Sequence, residues 1–101
     1  MGKIRKSNYN IEIEDLTQAI KLFRKNNDKA IAYNNRGNAK FWNSDYDGAI
    51  VDYTSSIELK PDYADAFYNR ANANERLGKT KKAADDRKKA KELEETSGGK
   101  K

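Results

Sequence analysis

Gly78-Lys79-Thr80 carries the closing letters of a phosphate-binding loop, and Asp45/Asp47, Asp85/Asp86 and Glu94/Glu95 supply the paired carboxylates that acid–base chemistry needs. Neither arrangement is complete. A phosphate loop wants a strand, then a glycine five residues before its Gly-Lys; position 73 is Ala, inside a helical pattern. Carboxylates that work together on a glycosidic bond face one another across about 5–10 Å, which neighbours along one helix do not. These acids read as helix-start and helix-surface charges. The chain has no cysteine and no histidine, which removes disulfides, thiolate chemistry, the usual general base and the commonest metal ligand. Calcium-loop, zinc and dinucleotide-binding spacings are all missing. No catalytic residue, metal or cofactor is expected.

Chemistry that needs no reacting group remains, and the elements must be laid out to find it. The chain is 101 residues long, 36% apolar and 37% charged, with a net charge of +5. That length makes one domain. Such polarity suits a thin stack whose units bury only the faces they share. The opening residues lead into no apolar run, so neither a secretory leader nor a membrane span is expected. Gly2 invites acylation, but the position that must be Ser or Thr is Lys6. A cytoplasmic protein is the expectation. The positive charge sits at the two ends: residues 1–29 sum to +3, 30–63 to −2 and 64–101 to +4.

Apolar spacing and turn residues predict five helices, over about 12–26, 30–43, 46–59, 64–77 and 80–95. Ile13, Leu16, Ala19/Ile20 and Phe23 form the stripe of the first. Asn26-Asn27-Asp28 is read as a turn, Asp62 as the cap of the fourth helix, and Gly78 as its left-handed end. Shifting the chain by 34 residues then superposes it on itself: AIAYNNRGNA at 30–39 returns as ADAFYNRANA at 64–73, and ten positions agree between 30–63 and 64–97. That period marks a stacked helix–turn–helix unit. Gly37 and Ala71 fall midway along the first helix of each pair and Ala49 and Ala83 early on the second, where helices in a hairpin approach most closely. Tyr33, Ile50, Tyr53, Ile57 and Leu59 are expected to supply the buried area. Arg36 and Arg70 recur at one place, so their stems should pack and their heads pair with nearby acids.

Tyr33, Gly37, Ala49, Tyr53 and Pro61 fall on the aromatic, Gly, Ala, aromatic and Pro anchors of the tetratricopeptide repeat (TPR), and the chain resembles about two and a half such repeats. The resemblance implies an all-α fold: a short right-handed superhelical stack of antiparallel helix hairpins, a TPR-like α-solenoid of about five helices. Its organisation would be a single domain, 1–101: tail and half-repeat helix (1–29), first repeat (30–63), second repeat with a polar capping helix (64–97), and tail (98–101). It also implies a non-catalytic protein–protein interaction module. Some TPR domains hold a carboxy-terminal carboxylate with a clamp of Lys, Asn, Asn, Lys and Arg. Asn38 and Asn69 fall on the clamp's asparagines; Asn34 stands in place of its first lysine, and its last two residues would need a third repeat.

In a stack of hairpins the first helix of each pair lines the concave side. Asn34, Asn38 and Trp42 on one helix, and Tyr68, Asn69, Asn72 and Arg76 on the next, form stripes at three- and four-residue spacing. These are the candidate peptide-binding residues, because amides both donate to and accept from an extended backbone. Asn38 and Asn72 suit bridging between helices equally well, and Trp42 suits packing beneath the 43–45 turn. A protein or peptide is the expected partner and a monomer the expected state, with a homodimer as the alternative. Two other functions compete: nucleic-acid binding through the lysines of the fifth helix, which lacks aromatics for stacking, and a self-associating repeat fragment or designed scaffold.

Overall fold

The computed structural model describes residues 6–98, which form five helices: α1 (Lys6–Leu22), α2 (Asn26–Trp42), α3 (Tyr46–Leu59), α4 (Ala64–Arg76) and α5 (Thr80–Gly98). Each helix packs on its neighbours in the chain, and α2 additionally touches α4; α1 contacts neither α4 nor α5. An up-and-down bundle would close on itself, whereas this is an open stack of two hairpins, α2–α3 and α4–α5, with α1 laid against the first. Its extents are 41 × 35 × 23 Å.

The hairpins close tightly because their core is mostly alanine. Ala30, Ala32, Ala39 and Ala49 in the first and Ala66, Ala71, Ala73, Ala83 and Ala90 in the second are buried, joined by Tyr53 and Phe67. The expected larger contributors are mostly only half-buried: Tyr33, Ile50, Ile57 and Leu59 lie at the margin. Two-helix-thick layers leave little room for branched side chains at the crossing. Gly37 is the extreme case, since a Cβ there would stand 2.7 Å from Tyr53 Cε1. Its repeat-mate can be Ala71 because Arg87 replaces the tyrosine ring on the facing helix.

The turns follow from the same repeat. Gly78 has φ 79°, and Ser44, its mate 34 residues earlier, has φ 66°. In both, the amide of that residue and the next one fold back: Ser44 and Asp45 donate to the carbonyls of Phe41 and Lys40, Gly78 and Lys79 to those of Glu75 and Asn74. These paired hydrogen bonds satisfy carbonyls left open at a helix end. Asp45 then opens α3 by accepting from the Gly48 amide at 2.9 Å.

Three sequence expectations shift. The break between α1 and α2 falls at 23–25, and Asn26, Asn27 and Asp28 form the first turn of α2. Amides there have no intrahelical acceptor and favour short polar and acidic residues, so the same composition fits a helix start as well as a turn. Asp62 does not cap α4; the cap position is Tyr63, and Asp62 pairs with Lys60 at 3.2 Å. Asp86 is no surface charge but a buried partner of Arg70.

That pair recurs. The Arg36 guanidinium grips Asp52 with two bonds of 2.8 Å, and Arg70 grips Asp86 identically. Each arginine also donates to a threonine of the preceding helix, Arg36 to Thr17 at 2.9 Å and Arg70 to Thr54 at 3.1 Å. The hydrogen bonds to Asp52 raise the Arg36 pKa above its ordinary value. Thr17 and Thr54 are 37 residues apart, as are the helix ends Leu22 and Leu59. So α1 relates to α3 by 37 residues while α2 relates to α4 by 34; the stretch from Leu22 to Ala30 is three residues longer than that from Leu59 to Ala64, and α2 takes up the surplus by starting early, at Asn26.

Candidate functional site

The side-by-side placement of α2 and α4 rests on amides. Asn69 Nδ2 donates to Asn34 Oδ1 at 3.0 Å, and Asn34 Nδ2 reaches the Tyr63 hydroxyl at 3.5 Å. Asn34 is only 4% exposed, so it holds the two helices together from beneath. The Tyr53 hydroxyl, buried below the trough, donates to Asn38 Oδ1 at 2.6 Å. Burial pushes this phenol well above its ordinary value, with the Asp52 charge adding to the shift.

Above these bonds lies a shallow concavity of about 60 Å³ lined by Asn38, Phe41, Trp42, Tyr53, Asn69 and Asn72. Four of the candidate residues thus share one depression. Asn72 Oδ1 accepts from Arg87 at 3.2 Å. With the oxygens of Asn38 and Asn72 engaged and the amino group of Asn69 spent on Asn34, the groups left without partners among the described residues are the Asn38 and Asn72 amino groups and Asn69 Oδ1. Two donors and an acceptor are what one stretch of peptide backbone can meet.

Trp42 and Arg76 form the rim. Trp42 is 62% exposed and stands edge-on to Phe41, ring centroids 5.2 Å apart, rather than tucked beneath the turn. Phe41 meets Tyr46 edge-on in turn. The Arg76 guanidinium lies over both rings, at 5.4 Å from Phe41 and 5.8 Å from Tyr46, and donates to the Tyr46 hydroxyl at 3.3 Å. Tyr46 went unnoticed in the sequence reading, although it stands one residue after the cap Asp45. Tyr68 is turned away from the other candidates, its hydroxyl donating to Glu94 of α5 at 3.1 Å; that bond raises its pKa. A second, polar cleft of about 430 Å³ is lined by Arg70, Asn74, Lys79, Lys82 and Asp86 among others, where Arg70 and Asp86 already bind each other. Among the described residues, no acid group of three or more gathers as a metal site, and no helix is long and apolar enough to cross a membrane.

Helices that touch only their chain neighbours, save for α2 against its counterpart α4, with amides repeated along one face, define a short helical-solenoid interaction module. Two family models fit it, one described as TPR repeat over residues 38–78 and one as tetratricopeptide repeat over 64–97. The chain belongs to the tetratricopeptide-repeat family, a family of protein–protein interaction modules. It is 37% identical over 84 residues to sperm-associated antigen 1 of Rattus norvegicus and, equally, of Mus musculus. The match takes in 83% of this chain and 9% of each relative, so the chain spans about a tenth of those proteins. The crystal structure of MamA is similar over 91% of this chain and 52% of that one, with a TM-score of 0.83 and 29% identity.

Proposed function

We propose that the chain is a non-catalytic adaptor that holds a peptide or a helical turn of a partner protein in the trough between α2 and α4. The unpartnered donors of Asn38 and Asn72, in one depression with the Asn69 oxygen, carry this reading. Trp42 offers an exposed aromatic anchor at the rim, of the kind that dominates interface energetics. Arg76, already flattened on two rings, would meet a carboxylate or a carbonyl there. Asn34 would act through Asn69, and Tyr68 would serve a ligand long enough to reach α5.

Affinity capture from a cell extract identifies the partner, and titration calorimetry then compares variants. Replacing Asn38 and Asn72 together by Ala should weaken binding about tenfold or more, at about 0.5–1.5 kcal/mol for each neutral hydrogen bond lost. Far-UV circular dichroism should be unchanged. Equal affinity in that double variant would reject the trough as the site.

A further inference from the structure

The two hairpins differ at one buried place. In the first, the Asp52 carboxylate is held by Arg36 and, at 3.1 Å, by the Lys40 ammonium, and its side chain is 1% exposed. In the second, Arg70 grips Asp86 in the same way, but Asn74 stands where Lys40 would. The shorter asparagine reaches Asp86 Oδ2 only at 3.5 Å. Over that place opens the cleft of about 430 Å³. Asn74 and the buried Asp86 form its floor, Ile50 and Thr54 of α3 one wall, and the exposed Lys79 and Lys82 its mouth.

The floor accepts and the mouth donates. Asn74 is 4% exposed, and its Oδ1 takes a hydrogen bond from no described residue. A buried amide oxygen of this kind calls for a donor. The Asp86 side chain keeps 10% of its surface, on the side that Lys40 covers at Asp52. The other charges of the cleft are accounted for. Arg70 is taken up by Asp86 and Thr54, and Asp85 by Lys81 at 3.4 Å. Lys79 and Lys82 make no ion pair among the described residues. Lys79 also stands in the place of Asp45, so the charge at the mouth is reversed where the cation beneath is lost. Lys40 and Asp45 are neighbours across their turn, the Asp45 amide donating to the Lys40 carbonyl at 2.8 Å, and Lys79 and Asn74 repeat that bond. The first hairpin therefore carries an ammonium within and a carboxylate at its turn, and the second lacks both.

We propose that the cleft binds a segment of a partner protein that bears a lysine beside an acidic residue. The lysine stem runs along Ile50, and its ammonium takes the place that Lys40 fills in the first hairpin, donating to Asp86 and to Asn74 Oδ1. The acidic side chain stays at the mouth between the ammonium groups of Lys79 and Lys82. A cation alone would meet those two lysines on entry, and an anion alone would find only acceptors beneath, so both charges are needed. A protein side chain fills the matching place in the first hairpin, which favours a protein segment over a free amine.

The probe is a blocked pentapeptide with one lysine and one glutamate, titrated into the isotope-labelled whole chain and followed at the Asp86 and Thr54 backbone amides by NMR. Those resonances should move saturably. Replacing the peptide's lysine by glutamine should weaken binding about tenfold or more, since its bonds to the floor are charge-assisted. Replacing the glutamate should cost less, about threefold, because the mouth is open to solvent. In the chain, Asn74→Lys supplies the ammonium from within, so the melting midpoint should rise and peptide binding should vanish. Lys79→Gln with Lys82→Gln changes only exposed side chains and should erase the preference for the glutamate. Equal binding of the lysine-free peptide, full binding by Asn74→Lys, or a lower midpoint in that variant would overturn the proposal. So would tighter binding of 6-aminohexanoate, a free zwitterion, than of the peptide, since a small molecule would then be the occupant. A peptide that moves Asn38 and Asn72 but leaves Asp86 unshifted would count for the trough and against the cleft.

Discussion

At the scale of single residues, conformation and hydrogen bonding decide more than side-chain size. Ser44 occupies the left-handed position that its mate Gly78 fills without strain. A side chain there costs about 1–2 kcal/mol relative to the right-handed region. Ser44→Gly should therefore raise stability by about 1 kcal/mol, seen as a higher urea midpoint with an unchanged slope. A lower midpoint would mean the serine contributes something the backbone does not reveal. The asparagines teach a complementary lesson. Asn34, Asn38, Asn69 and Asn72 were all visible as a stripe, because spacing alone puts them on one face. Which of them would be spent on other helices was not visible. Asn34 is consumed by Tyr63 and Asn69, and that depends on how far apart α2 and α4 settle, a distance the repeat period does not state.

At the scale of elements, the buried ion pair is what orders each hairpin. Asp52 is 1% exposed and faces two cations, Arg36 at 2.8 Å and Lys40 at 3.1 Å. Removing one member of such a pair strands the others in a poor solvent. Asp52→Ala should cost about 3 kcal/mol by denaturant unfolding. Asp86→Ala should cost less, because its carboxylate is more exposed and faces one cation. Equal losses would show that the second cation at Asp52 adds nothing. Asp52 and Asp86 stand at matching positions of the two repeats, as Arg36 and Arg70 do, so the signal lay in the sequence. An acid at helical spacing simply resembles a surface charge until a partner is placed opposite it. The later helices were legible for a firmer reason: Pro61 fixes its own φ and cannot continue a helix, and Gly78 takes the left-handed turn that other residues resist, whatever surrounds them. The break between α1 and α2 has no such residue, and there the predicted turn slipped into a helix.

At the scale of the molecule, the stack responds to pH through the phenols it encloses. The Tyr53 hydroxyl keeps its proton above the ordinary value near 10, and burial shifts Tyr63 in the same direction. An unfolded chain would release those protons first. Stability from this source is whole below about pH 10 and drains as pH climbs further, because the folded state then binds more protons than the unfolded one. Thermal melts between about pH 9 and 11 should show a falling midpoint, with a shallower fall in Tyr53→Phe. Parallel slopes would assign the loss to other groups. The solenoid character itself was legible from the 34-residue period, since a unit that cannot bury its own face must stack.

The threonine on each arginine has one more effect. It stitches a hairpin to the helix before it, yet the two stitches differ in what lies behind them. Thr54 belongs to a helix locked to its own partner, while Thr17 belongs to α1, which leans on α2 alone. When the array loosens, peeling begins at α1, because letting go there forfeits a hydroxyl contact and a narrow greasy strip but maroons no charge.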